Sequence, residues 1–357
     1  MENQIAKVTV SIASYNNSQY IERCVNSVIN QTYSNLEILI VDDGSTDDTV
    51  SLLGKYQSDE RIRVIVKENG GLSSVRQRAL DEAKGNYICF IDADDYLAPS
   101  YVLAMLEKLL KDGSDICVCS TRFENEKGEI LKHDTKGFLC FESKTPYQTT
   151  ASNLGSYPNI FVNNLHLSDS WDKMYKLSSL RSYNVKFCMP KGLNGTDTFF
   201  NRLVALRAPL YSTVQDNLYI HVIYSRSAVH RKNKNLFSTY LIISEHCITD
   251  CKKLGIYTQM RNYLSTTFQS NFLDVLIDLY KESNCYIDYI KNLCFLKKEY
   301  KFFADRIKED LLSPIIPKPV LVKMGIIIFK YASPFLPLFF MFFDMVKCIY
   351  VNIKKIA

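Results

Sequence analysis

The chain has 357 residues, more than one hydrophobic core usually organises, so two or three structural parts are expected. With 47% hydrophobic and 23% charged residues it sits in ordinary globular usage, which excludes a disordered, collagen-like or low-complexity protein. The formal charge of +5 is unevenly placed: residues 1–120 hold 11 Lys+Arg against 18 Asp+Glu, a net of −7, and the rest hold 32 against 20, a net of +12. An acidic front half argues against a nucleic-acid partner and suits a divalent cation, whereas the basic remainder suits phosphate or a membrane surface. The eleven cysteines are odd in number and contain no CxxC, and Cys24, Cys89, Cys117 and Cys119 lie inside apolar runs. Buried reduced thiols of a cytosolic protein are expected. Met1–Lys7 is polar and no apolar stretch follows a positive start, so no signal peptide is expected.

Along the first 120 residues, β-rich runs alternate with amphipathic stretches. Val8–Ala13 predicts a strand ending at the turn signal Ser14-Tyr15-Asn16-Asn17, and Ile21, Cys24, Val25, Val28 and Ile29 then recur at helical spacing. Leu36–Val41 predicts a second strand, cut off by Asp42-Asp43-Gly44-Ser45, with a helix over Thr49–Tyr56 and a third strand over Ile62–Val66. Gly70-Gly71 opens a helix through about Lys84, Tyr87–Ile91 is a fourth strand, a helix runs from Pro99 to about Leu110, and Ile116–Cys119 is a fifth strand. This alternation predicts an α/β fold with a mainly parallel sheet covered by helices on both faces. Its loops Ser14–Asn17, Asp42–Asp48 and Asp92–Asp95 then share the carboxyl edge of the strands, where such sheets bind ligands. Residues 121–160 read as loop-rich, a mixed segment runs to 231, and a helical region follows over 232–312.

The strongest chemical signal is Ile91-Asp92-Ala93-Asp94-Asp95-Tyr96. Three carboxylates in four residues repel one another unless a cation sits among them, and a hard ion such as Mg²⁺ or Mn²⁺ does so where phosphate oxygens complete its shell. The alternative is a solvated acidic turn or helix cap. Asp43 ends the second strand on the same edge, placed to accept a hydrogen bond from a nucleobase imide or else to cap the helix near Thr49.

Taken together, Val10-Ser11-Ile12-Ala13-Ser14-Tyr15-Asn16, Asn30-Gln31-Thr32-Tyr33, Val41-Asp42-Asp43-Gly44-Ser45-Thr46-Asp47, Asn69-x-Gly71 with Arg76, Gly85-x-Tyr87-Ile88 and Phe90-Ile91-Asp92-Ala93-Asp94-Asp95 stand in order. They resemble the family-2 glycosyltransferases of the GT-A fold, a Rossmann-like architecture that uses nucleotide-diphosphate sugars. The resemblance is close over the first 120 residues and looser over 171–231. It implies that Asp43 contacts the base, Tyr15 stacks near it and the backbone around Ala13 lines the pocket. It also implies that Asp92 and Asp94 form the DxD motif, with Asp94 on the metal and Asp92 on ribose or metal. Arg76, one or two turns into its helix, would reach the diphosphate or sugar, or else form a surface salt bridge with Asp81 or Asp43. Where the family shows Ala-Arg-Asn this chain has Val75-Arg76-Gln77, so a sugar contact by the third residue is left open.

Sugar transfer also needs a base for the acceptor hydroxyl. In Lys191-Gly192-Leu193-Asn194-Gly195-Thr196-Asp197-Thr198-Phe199-Phe200 the family's Glu-Asp pair is replaced by Thr196-Asp197, which makes Asp197 the candidate base. Its alternative role is to cap the helix that holds Phe199, Phe200 and Leu203. Trp171-Asp172-Lys173-x-Tyr175 resembles the family's Trp-x-Lys-x-Tyr segment, so Trp171 either stacks on an acceptor sugar or belongs to the core. His221 and His230, with Tyr224, Arg226 and Ser227, resemble the segment after the base; a structural histidine is the expected role for each. His246, Cys247 and Cys251 lack a fourth zinc ligand and read as packing.

Residues 311–357 carry six Lys and one Asp around aromatic apolar runs, and Tyr331–Phe343 is only 13 uncharged residues broken by Pro334 and Pro337. A spanning helix needs about 20 apolar residues, so 313–357 is expected to lie on an anionic membrane surface, or else to form a helical pair on the domain. These readings divide the chain into a donor-binding half (1–120), an acceptor-binding half (121–231), a helical region (232–312) and an amphipathic tail (313–357). The expected protein is an inverting, Mn²⁺- or Mg²⁺-dependent transferase that moves a sugar from a nucleotide-diphosphate donor, UDP-linked, to a saccharide or lipid-linked acceptor of a surface polysaccharide. It would be cytoplasmic and peripheral at the inner face of the cell membrane. The rivals are a catalytically silent homologue acting as a partner subunit and a metal-dependent nucleotide phosphohydrolase or phosphotransferase. Against the last, neither GxxxxGK[ST] nor GxGxxG occurs in the sequence.

Overall fold

The computed structural model describes residues 5–134, 147–148, 169–208, 210–224 and 236–258, together with 260 and 264. The chain divides into two compact units, 1–234 and 235–357. In the first, strand β1 (Val8–Ser14) leads to α1 (Ile21–Ile29), β2 (Leu36–Asp42) to α2 (Thr49–Leu53), and β3 (Ile62–Val66) to α3 (Leu72–Glu82). Next come β4 (Tyr87–Asp92), β5 (Tyr96–Leu97), α4 (Tyr101–Asp112), β6 (Ile116–Asn125), β7 (Ile130–Asp134) and β8 (Tyr147–Gln148). Strand β9 (Lys173–Lys176), α5 (Leu177–Tyr183), α6 (Thr196–Ala205) and β10 (Leu210–Ile223) complete the unit. Helix α1 forms because its apolar residues fall on one stripe, and Ile21, Cys24, Val25 and Val28 are all buried. Helix α4 stops at Gly113, whose left-handed φ of 63° a side chain would resist.

The strands make one sheet in the order β3-β2-β1-β4-β9-β6-β10-β5, with β7 added to β6 and β8 to β10. Strands β3, β2, β1 and β4 are parallel, β9 runs antiparallel to both β4 and β6, and β10 is parallel to β6. Along β1 the residues alternate between faces. Val8, Val10 and Ile12 join Ile38 and Ile40 in a core covered by Val25 and Val28 of α1 and Met105, Leu106 and Leu109 of α4. Each such aliphatic side chain contributes about 1.5–3 kcal/mol when fully buried. Helix α3 lies against β1 and β2. Thr9, of the alternate set, donates its hydroxyl to Glu37 (2.6 Å), and Phe90 of β4 packs edge-on against Phe187. This is the expected mainly parallel α/β sheet.

Beyond residue 120 the structure departs from the sequence reading. The expected boundary at 120, between two halves of one domain, falls inside β6, and the described strands on either side of it share one sheet. The segment just after it, expected to be loop-rich, continues β6 to Asn125 and turns back as β7. Strand β10 escaped notice because Gln215, Asp216 and Asn217 interrupt its apolar pattern; they sit where its register with β6 slips between Val214 and Tyr219, as at a β-bulge. In the second unit α7 (Leu236–Lys253) buries Ile243, Cys247, Ile248 and Cys251. Among the described residues all cysteines but Cys188 are buried. Among the described residues no helix is long and apolar enough to cross a membrane. The tail 313–357, most of the 232–312 region, and Arg226, Ser227 and His230 lie outside the described residues.

Candidate active site

The registers Ser14–Asp42 and Ala13–Asp92 put the ends of β1, β2 and β4 on one rim. The half-buried Ala13 lies in the rim floor, its carbonyl accepting from Ala93 N–H (3.1 Å). Tyr15, the next residue but one, is 48% exposed. Its neighbour Asn16 takes a left-handed φ of 53° and is fixed by a donated bond to Ser45 Oγ (2.8 Å) and an accepted bond from Thr46 N–H (2.8 Å). The first two loops are thus laced together, and they leave the Tyr15 ring free at the rim.

The two acids that end β2 have separate tasks. Asp42 accepts from the N–H and hydroxyl of Ser45 and shapes the turn. Asp43, 3% exposed, accepts from Lys67 Nζ (2.6 Å), Gly70 N–H (2.9 Å) and Gly71 N–H (2.7 Å). An ionised carboxylate has about four acceptor positions, so one remains for a ligand donor. Asp43 does not take its alternative role at the helix near Thr49: Asp48 is the N-cap there, and Asp47 accepts from Thr49 N–H (3.0 Å). Burial works against ionisation of Asp47, but hydrogen bonds from Thr49 and Ser18 outweigh it and hold its pKa at about 2. Gly44 is required beside this cage: its φ is 74°, and a Cβ there would come within 2.9 Å of the Lys67 carbonyl.

On the acid loop the three carboxylates diverge. Asp95 is fully buried and accepts from the Tyr219 hydroxyl (2.6 Å), Val222 N–H (2.9 Å) and His221 Nδ1 (3.0 Å). Burial alone would lower the His221 pKa, but the Asp95 hydrogen bond and the charges of Asp95, Asp92 and Asp94 prevail and raise it to about 9. That shift favours the imidazolium form of His221 beside Asp95. Asp92 accepts from Arg76 Nη2 (2.8 Å). The Asp94 main-chain carbonyl accepts from the Tyr224 hydroxyl (3.1 Å) and from Arg23, whereas no lysine or arginine pairs with its side chain among the described residues. Burial first, and then the charges of Asp95 and Asp92, raise the Asp94 pKa to about 7.

Arg76 is 1% exposed, so neither a surface salt bridge nor a reach into open solvent describes it. It lies between carboxylates, with Nη2 on Asp92 and Nη1 on Asp197, while Asp81 takes a hydrogen bond from Gln77 instead. Asp197 stands in the first turn of α6, whose N-cap is Gly195 at φ 82° without a side-chain cap bond. Its second oxygen accepts from Ser170 N–H (3.3 Å), and its side chain stays 13% exposed. The expected Glu position, Thr196, is buried. Trp171 is only 8% exposed and stacks on Tyr219 (centroids 4.5 Å) and His221 (5.5 Å), which places it in the core cluster and takes up its ring. Sequence reasoning did not find Tyr219, Lys67 or Arg23; the Tyr219-x-His221 alternation of β10 was the available signal.

A divalent ion is tested by what these residues offer. Among the described residues no group of three or more His, Cys, Asp or Glu converges as a closed metal cage. Asp94, which no lysine or arginine among the described residues neutralises, and the oxygen of Asp92 turned away from Arg76 supply hard donors, and they suit an ion whose remaining ligands are substrate oxygens.

A model of the glycosyl transferase family 2 matches residues 9–166. The putative glycosyltransferase EpsH of Bacillus subtilis is 32% identical over 240 residues, 67% of either chain. The chain belongs to glycosyltransferase family 2. Other family relatives are polysaccharide synthases of Pasteurella multocida. The hyaluronan synthase is 34% identical over 215 residues (56% of this chain) and the chondroitin synthase 29% over 339 (87%). The chain spans only 22% and 34% of those two proteins. The glycosyltransferase fold also matches S. aureus TarS in complex with UDP-GlcNAc, with a TM-score of 0.57 and 21% identity over 73% of this chain and 72% of that one. This likeness is one of fold, the GT-A fold.

Proposed function

We propose that this family-2 glycosyltransferase moves a sugar, with inversion, from a UDP-sugar to a saccharide or lipid-linked saccharide during surface polysaccharide synthesis. The observation that carries the reading is the buried Arg76 held between Asp92 of the DxD motif and Asp197, which joins the donor rim to a candidate base. UDP and UDP-GlcNAc complexes of fold neighbours and the polysaccharide synthases among the relatives support the substrate classes.

In this reading Tyr15 stacks on the base, the backbone at Ala13 lines it, and the last acceptor position of Asp43 takes the imide N–H. Asp94, with Asp92, holds Mn²⁺ or Mg²⁺, which supplies charge stabilisation to the leaving diphosphate. The Asp197 oxygen that faces away from Arg76 takes the proton of the acceptor hydroxyl. The acceptor oxygen then forms a bond to the anomeric carbon as the bond from carbon to the diphosphate oxygen breaks, and UDP leaves with the electron pair. A single in-line displacement inverts the anomeric centre.

The basic, aromatic tail 313–357 suits peripheral contact with the inner face of the cell membrane. One observation favours a second reading: the buried Thr196 stands where the family has Glu, a replacement that a silent partner subunit would tolerate once transfer had been lost. A panel of UDP-sugars with Mn²⁺ and saccharide acceptors separates the two readings, because only the enzyme makes a glycosidic bond. With a donor in hand, Asp197→Asn is expected to lose about 10²–10⁴-fold in turnover while still binding UDP. Wild-type turnover in that variant would place the base elsewhere.

A further inference from the structure

Residues 185–190 alternate buried and exposed in strict order, with Val185, Phe187 and Met189 inside and Lys186, Cys188 and Pro190 outside. That period of two is a strand's, yet the segment pairs with no strand among the described residues. Its inward backbone donors must still be satisfied. They meet side chains of α3: Phe187 N–H donates to Gln77 Oε1 (2.8 Å) and Met189 N–H to Ser73 Oγ (2.9 Å). Just before the helix, Lys191 Nζ donates to the Asn69 carbonyl (2.8 Å). Positions 187, 189 and 191 therefore match 77, 73 and 69, two residues against four, in opposite directions. The lengths agree, since two extended residues advance about 6.5 Å and four helical ones about 6 Å.

The segment also grips the helix that carries the candidate base. Phe187 stacks on Phe200 of α6 at 3.8 Å between centroids, and Phe200 is one turn from Asp197. Arg76, which pairs with Asp197, precedes Gln77 directly. Helix α3 thus holds α6 twice, by a charge and through the 187–191 segment.

We propose that Ser73 and Gln77 are positioning residues for Asp197: they fix the 187–191 segment along α3 and so set α6 at the depth where Asp197 meets Arg76. The inference rests on the reading of Asp197 as the base. A misplacement of about 1 Å in a reacting group costs on the order of 100-fold in rate.

The test compares Ser73→Ala, Gln77→Ala and their combination with Ser73→Thr and Gln77→Glu, which restore an acceptor oxygen. Each is assayed with the UDP-sugar that the wild-type chain turns over fastest, with UDP binding by calorimetry and amide exchange at 187 and 189. The double variant is expected to lose roughly 30–100-fold in kcat, with KM for the donor and the Kd of UDP within about twofold and faster exchange at both amides. The restoring variants should recover most of kcat. Faster exchange with wild-type kcat would overturn the proposal, as would a loss shared equally by UDP binding. If the double variant does not fold, Ser73→Ala with its Ser73→Thr control decides the matter by the same readouts. Asp197→Asn separates the two claims: full turnover there removes the base itself, whereas its loss beside an unaffected Ser73→Ala/Gln77→Ala enzyme removes only the positioning role.

Discussion

The acids that end β2 and those that end β4 occupy the same rim but are held in opposite ways. Asp42, Asp43 and Asp47 each accept several donors from the protein before any ligand arrives, and Asp43 also has the charge of Lys67 beside it. On the acid loop Asp95 is equally satisfied, yet burial first, and then the charges of Asp95 and Asp92, push the Asp94 pKa up to about 7. Satisfied carboxylates make a rigid frame for recognition. An unsatisfied one stores repulsion that only a proton or a cation relieves. Arg76 stands between these regimes, since it neutralises Asp92 and Asp197 without reaching Asp94.

The most damaging way to break this contrast is Arg76→Met. It strands two carboxylates around a 1% exposed site, and the loss of one partner from a buried pair costs about 3–5 kcal/mol. Urea unfolding should show that loss, and adding Asp197→Asn should return part of it by removing one stranded charge. If Arg76→Met unfolds at the wild-type midpoint, the frame does not depend on the guanidinium.

The second prediction concerns pH. The folded pKa of Asp94 is about 7 against 3.8 unfolded, so its contribution favours the fold below pH 3.8 and is lost as pH rises through 7. A divalent ion binds the ionised form and reverses the balance. Mn²⁺ affinity is therefore expected to fall about tenfold per pH unit below 7, with one proton released on binding at pH 6. Calorimetry in buffers of different ionisation enthalpy measures both. Asp94→Asn should abolish the pH dependence and stabilise the ion-free protein at pH 8. Affinity that stays flat from pH 8 to 5.5 would mean that the ion does not use Asp94.

A smaller effect is expected at Tyr15. The residue is 48% exposed on a backbone pinned by Asn16, so Tyr15→Ala should leave the melting temperature unchanged. UDP binding should weaken by about 1–3 kcal/mol, the usual worth of a base stacked on an aromatic ring. Unchanged UDP affinity would take Tyr15 out of the donor pocket.

These residues also show which parts of the molecule were legible in the sequence. The strands β1 to β4 were readable because each is a short β-branched run closed by a polar turn, and the acid loop because three carboxylates after an apolar strand violate ordinary electrostatics. Spacing placed Arg76 on its helix but could not name its partners, because the meeting of α3 with α6 depends on how distant segments pack. The segment at 185–190 was missed for a related reason. Its strand-like period is plain, but a helix's side chains satisfy it, and a search for strand partners passes over that arrangement. Strand β10 was hidden by polar residues that belong to its bulge.

Trp171 gives the finest test, because the sequence left its role open between a sugar platform and the core. The structure stacks it on Tyr219 and His221, the two side chains that hold Asp95. Trp171→Phe keeps an aromatic ring in that stack at a small volume cost, so stability should fall by about 1 kcal/mol and the acceptor KM should not move. Trp171→Ala should cost about 3–5 kcal/mol by opening a cavity beneath the acid loop. A platform would respond differently: the acceptor KM would rise in both variants while the fold stayed intact. The two roles therefore separate on which quantity changes, and the stack beneath Asp95 predicts that it is stability.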